Sequence, residues 1–170
     1  MAGEWVKENH PDAKIFELQG TLGSGAQVDR EEGFGEVVGD QIIGKASGNF
    51  TRAEGKTAVE AALQAYPDMT MIFTHNDDMG LGAIEAIEAA GKVPGQDIKI
   101  VSIDAVKDGM QALIDGKINY IVECNPLLGD LAAGLVKDVL AGKTVEKAIY
   151  VKDDSFTQEQ AAAVIDSRKY

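Results

Sequence analysis

Five positions in this 170-residue chain carry side chains suited to holding a small polar ligand: Arg30, Phe50, Asn76, Asp104 and Cys124. Four of them stand just after a short apolar run, where a strand would give way to a helix or turn, and Arg30 lies in the helix that follows the first strand. A guanidinium fork, an amide and a carboxylate make paired hydrogen bonds to adjacent hydroxyls, and an aromatic ring covers the C–H face of a sugar ring. Taken singly, each has a plainer role. Arg30 would be a surface helix residue, Phe50 a plug of the core, Asp104 a helix cap, and Cys124 a small buried hydrophobe at a strand end. Their recurrence at equivalent steps of the chain is what argues for a ligand.

Catalytic chemistry finds no support in the same residues. The chain has no C-x-x-C pair, and His10 and His75 are too far apart in sequence for a ligand pair, so no metal set is indicated. His75 beside Asp77 suggests acid–base work, but no nucleophile signature accompanies it, and a solvated loop position is expected. Gly20-Thr21-Leu22-Gly23-Ser24-Gly25 has neither the G-x-G-x-x-G spacing nor a G-K-[ST], so a strand-to-helix turn is expected there rather than a phosphate cradle. No cofactor is implied.

The elements that would position these residues alternate regularly. Strands are expected over 13–19, 41–46, 71–73, 98–103 and 118–123, with helices over about 27–38, 52–65, 79–90, a segment after Asp104, and 127–141. A last short strand, 148–151, precedes a tail helix near 158–166. This rhythm implies βαβ units and a doubly wound, three-layer α/β sheet of flavodoxin type, in one unit spanning 1–170. In such a sheet ligands collect outside the carboxyl ends of the strands. Asn76-Asp77-Asp78 sits at one such end. Asp77 or Asp78 is expected to cap the helix that follows, leaving Asn76 for a ligand.

Composition narrows the partners. A formal charge of −12 argues against nucleic acid and anionic membranes. No apolar run is long enough to span a bilayer, and the first residues lack the pattern of a signal peptide.

The run Phe73 to Ala83 is similar to the "NDxMAxGA" signature of the type 1 periplasmic sugar receptors of ABC importers. Glu17-Leu18-Gln19-Gly20 with Arg30 to Phe34, Phe50 to Gly55, and Ile103-Asp104 resemble further blocks of that family. Glu123 to Gly129, Phe156-Thr157 and Arg168-Lys169-Tyr170 resemble its galactofuranose-type branch. The resemblance implies a monosaccharide ligand, no enzymatic activity, and a periplasmic or extracellular parent whose N-terminal lobe and ABC permease are the partners. It carries Arg30, Phe50, Asn76, Asp104 and Cys124 over to the sugar site. Two positions depart from the pattern: Ala105 replaces the usual glycine and Gly80 the usual alanine. It also implies that this chain corresponds to the C-terminal lobe, with 126–150 belonging to the other lobe. The alternative is the effector-binding domain of a LacI-type repressor, disfavoured because no basic helix-turn-helix is present.

One consequence concerns Leu128, Leu131, Leu135 and Val139, an apolar stripe on the 127–141 helix. Without the other lobe the helix is expected to fold back on its own sheet after the fifth strand, with a weaker expectation of some homodimer.

Overall fold

The computed structural model of the chain describes residues 1–170. Its sheet has the order β2-β1-β3-β4-β5-β6, the doubly wound arrangement expected from the alternating pattern. The strands are β1 (Ile15–Gln19), β2 (Ile42–Ser47), β3 (Met71–Thr74), β4 (Lys99–Asp104), β5 (Tyr120–Glu123) and β6 (Ser155–Phe156). The first five run parallel, whereas β6 pairs antiparallel with β5. The 148–151 strand does not form. The chain instead returns to the sheet at Ser155, and a short tail helix follows.

Helices α1 (Ala2–Asn9) and α2 (Gly25–Val38) cover one face. There Phe34 stacks on Phe73 with ring centroids 3.7 Å apart, and Trp5 stacks on Tyr120 at 4.8 Å. The other face carries α3 (Arg52–Ala65), α4 (Asp77–Ala89), α5 (Lys107–Ile114) and α7 (Gln158–Val164) over Leu18, Ile72, Ile100 and Ile121. Small residues let α3 and α4 lie close together: a methyl group on Gly82 would stand 2.2 Å from the Arg52 carbonyl oxygen.

Helix α6 (Gly129–Leu140) does not fold back. None of its residues is buried, and Leu127, Leu128, Leu131, Val136, Val139 and Leu140 are all exposed. The sheet explains why. Trp5 covers one face of β5 at Tyr120, α5 and α7 cover the other, and β6 takes the free edge. These neighbours already occupy both faces and the free edge of β5, so α6 finds no vacant seat on that strand. The residues between Cys124 and Asp154 therefore form an arm whose ends alone are anchored: Asn125 N–H donates to Asp153 Oδ1 at 3.0 Å, and Glu123 N–H to Asp154 O at 2.8 Å.

An isolated helix of this length is marginal in water. Hydrogen exchange should therefore find the α6 amides exchanging at least 100-fold faster than those of α4. Matching protection in the two helices would contradict the arrangement of the arm.

Candidate functional site

The carboxyl ends of β1 to β4 present a polar surface built from four of the five expected residues. Arg30 reaches over from α2. Its Nη1 donates to the His75 carbonyl oxygen and its Nη2 to Asp104 Oδ1 at 3.2 Å. The Phe50 ring lies beside the guanidinium, 5.8 Å from Cζ to centroid. Asn76 Nδ2 donates to the Phe50 carbonyl oxygen at 3.2 Å. These contacts use two of the five N–H donors of Arg30 and one oxygen of Asp104.

Two stretches of unusual backbone set these side chains. Asn49 and Phe50 both take positive φ, 51° and 61°, which turns the Phe50 ring back over the end of β1. The ring packs so tightly there that a methyl on Gly20 would sit 1.9 Å from it. This contact, rather than a phosphate, accounts for Gly20. The rest of the glycine-rich segment is the turn expected from its spacing, closed by Ser24, whose Oγ accepts from Gln27 N–H at 3.3 Å.

At the end of β4, Asp104 and Ala105 have φ of 124° and 63°. Left-handed backbone of this kind favours glycine, so the non-glycine residues here need outside support. The turn is held from two sides. Asp77 Oδ2 accepts from Val106 N–H at 2.9 Å while its Oδ1 accepts from Ser102 Oγ at 2.5 Å. Arg168 Nη2 donates to the Ala105 carbonyl oxygen at 2.7 Å, and Arg168 Nη1 to Glu123 Oε1 at 2.6 Å. Asp104 is thus no helix cap: Val106 stands at the N-cap of α5, and no side chain caps that helix.

Several sequence expectations are corrected here. Asn76, and neither aspartate, caps α4: its Oδ1 accepts from Met79 N–H at 3.1 Å. Asp77 is fully buried and tied to the neighbouring strand, and Asp78 is exposed with Arg52 3.4 Å away. His75 is no solvated loop residue but is completely buried, 3.0 Å from Glu17. Cys124 is exposed rather than buried, and joins the group only through its N–H, which donates to the Asp104 carbonyl oxygen at 3.2 Å. Glu17 stood out in the sequence only as part of a motif block, with no role of its own, and Ser102 not at all. A charged residue in the middle of Ile-Phe-Glu-Leu-Gln was the one available signal for Glu17.

The electrostatics follow from burial. Desolvation pushes the Asp77 carboxyl up to about 7, against the hydrogen bonds from Ser102 and Val106 that favour its charged form. Desolvation likewise raises Asp104 to about 6, with Arg30 pulling the other way.

Residues 1–144 match the family described as periplasmic binding protein domain. The chain belongs to that family. It is 39% identical over 172 residues to the fructose import binding protein FruE of Bifidobacterium longum, covering 98% of this chain and 52% of FruE. It is 37% identical over 179 residues to the galactofuranose-binding protein YtfQ of Escherichia coli, covering 99% of this chain and 56% of YtfQ. A crystal structure from Mycobacterium smegmatis in complex with β-D-fucofuranose superposes with a TM-score of 0.94 at 48% identity, over 99% of this chain and 58% of that one. The chain therefore spans about half the length of the periplasmic binding proteins it matches. No helix is long and apolar enough to cross a membrane.

The two aspartates should separate by function. Asp77→Ala strands the Ser102 hydroxyl and the Val106 N–H and should lower unfolding free energy by about 3 kcal/mol. Asp104→Ala breaks a partly exposed pair and should remove less than about 1 kcal/mol. Because both carboxyls stand above their ordinary values in the folded chain, folding takes up protons near neutrality. Urea stability should therefore fall as pH rises from about 5 to about 7.5, and Asp77→Asn should remove most of that slope. A slope identical in Asp77→Asn and the parent chain would contradict the burial argument.

Proposed function

We propose that this chain is the sugar-binding C-terminal lobe of an ABC-importer receptor, and that its ligand is the furanose form of a pentose or hexose. The observation that carries this is the Arg30 guanidinium, held between the His75 carbonyl and Asp104 beside the Phe50 ring, with free donors at an open sheet edge. A ring hydroxyl flanked by a second can accept from Arg30 and donate to Asp104 at once, while Phe50 covers the apolar face. Asn76 and Cys124 complete the rim. Three relatives support the sugar class: one is named for fructose, one for galactofuranose, and one is bound to β-D-fucofuranose.

In the whole receptor the sugar would lie between this lobe and an N-terminal one, in the periplasm or outside the cell, with a permease as the further partner. Residues 126–150 would belong to that second lobe. Their exposed leucines and valines, and the failure of α6 to find a seat on this sheet, fit such a transfer. In this chain the same stripe would support weak homodimer formation.

With contacts from one lobe only, affinity should be about millimolar, since each tenfold is about 1.4 kcal/mol. A titration followed by amide NMR should show D-fructose and methyl β-D-galactofuranoside shifting signals at Arg30, Phe50, Asn76 and Asp104. Arg30→Ala and Asp104→Ala should each weaken the response at least tenfold. Shifts elsewhere, or a response to FMN or NAD with none to sugars, would overturn the assignment.

A further inference from the structure

Between α2 and the sheet, directly beneath the sugar edge, lies a set of charged side chains that sugar contact does not use. Glu17 in mid-β1 and His75 just past β3 are both completely buried. Glu17 Oε1 lies 3.0 Å from His75 Nε2, and Glu17 Oε2 lies 2.9 Å from the Lys45 ammonium of β2. The same ammonium is 2.8 Å from Glu31 Oε1 of α2. Glu31 Oε2 in turn accepts from Gln27 Nε2 at 2.6 Å, and Gln27 Oε1 accepts from the Gly23 N–H at 2.9 Å.

Such a set is costly where it stands. Glu17 pairs across the sheet with Lys45 of β2 and Phe73 of β3, and on the β3 side its surroundings are apolar. Buried ion pairs gain little over well-packed apolar side chains of similar size. Structural need alone is thus a weak reason for a charged cluster at this spot. What the cluster does achieve is closure of a ring. Arg30 and Glu31 are neighbours in α2: Glu31 is tied through Lys45 and Glu17 to His75, and His75 gives its carbonyl oxygen to Arg30. Glu17 is the imidazole's polar tie, because its Nδ1 meets no partner, and Phe73 packs beside the ring at 5.3 Å between centroids. Since Glu17 faces an ammonium on its other side, it is an acceptor, and His75 Nε2–H donates to it. Asn76, the next residue, is locked as the α4 cap, so the peptide carrying the His75 carbonyl is held at both ends.

We propose that Glu17, His75, Lys45 and Glu31 form a positioning unit for Arg30, buried at Glu17 and His75 and open to solvent at Lys45 and Glu31. It fixes where the free guanidinium donors meet the sugar and so sets hydroxyl specificity without touching the ligand. The proposal rests on the sugar-binding assignment above. Its physical basis is preorganisation: a free arginine has many rotamers, and immobilising it on binding subtracts from affinity.

The test has one arm without ligand and one with it. In the ligand-free chain, NMR of the Arg30 guanidinium should show slow rotation about Nε–Cζ, at least tenfold faster in Glu17→Gln and in Lys45→Met. Lys45 is partly exposed, so if Glu17→Gln fails to fold, Lys45→Met and Glu31→Gln carry the comparison. With D-fructose as probe, these variants should weaken binding fivefold or more in the parent chain, but by less than twofold in the R30K background. A merely structural cluster would give equal losses in both backgrounds and leave Arg30 rotation unchanged, and either result overturns the proposal. If the parent chain responds to no sugar, the functional assignment fails, while the rotation rates still decide on the positioning unit.

Discussion

The Arg30 guanidinium joins three parts of the fold that would otherwise meet only through the sheet. It leaves α2, takes the carbonyl at the end of β3 and pairs with the carboxylate at the end of β4. Every other feature of the edge can be understood from what this fork requires. Asp104 must face it, which demands the positive φ at Asp104 and Ala105. That backbone is tolerated only because Asp77 holds the turn from within and Arg168 from beneath. Phe50 must lie alongside, which demands the left-handed Asn49–Phe50 pair and a glycine under the ring at position 20.

The distribution of charge follows the same logic. Desolvation raises both Asp77, to about 7, and Asp104, to about 6, yet they differ in role. Asp77 has both oxygens satisfied inside the chain and nothing left for a ligand. Asp104 has an oxygen to spare and is reachable from solvent. Burial and hydrogen-bond saturation, not sequence proximity to the signature motif, separate the residue that builds the site from the one that faces outward.

Much of this was legible in the sequence. The alternation of strands and helices implied the doubly wound sheet, because local periodicity and βα connections dictate it, whereas the antiparallel β6 edge was not expected. Arg30, Phe50, Asn76 and Asp104 come together, as expected, because the carboxyl-end edge of such a sheet has a fixed place in the chain order. What failed was what depends on contacts distant in sequence. Whether His75 is solvated turns on Glu17, 58 residues away. Which residue caps α4 turns on the Asn76 backbone, and Asp77 is drawn off by Ser102, 25 residues later. The fold-back of α6 looked favourable from its apolar stripe alone. It failed because Trp5, β6 and α7 had already covered β5, which no local pattern announces.

As a member of the periplasmic binding protein domain family, the chain presents an open edge with its polar groups already arranged. The central claim is that this arrangement is a furanose site. The most direct measurement is a crystal structure of the chain grown with D-fucose at several hundred millimolar. The account requires a furanose ring stacked on Phe50, with adjacent oxygens within hydrogen-bond distance of Arg30 and Asp104. A sugar bound at the opposite edge of the sheet, or a pyranose that makes no contact with Arg30, would contradict it.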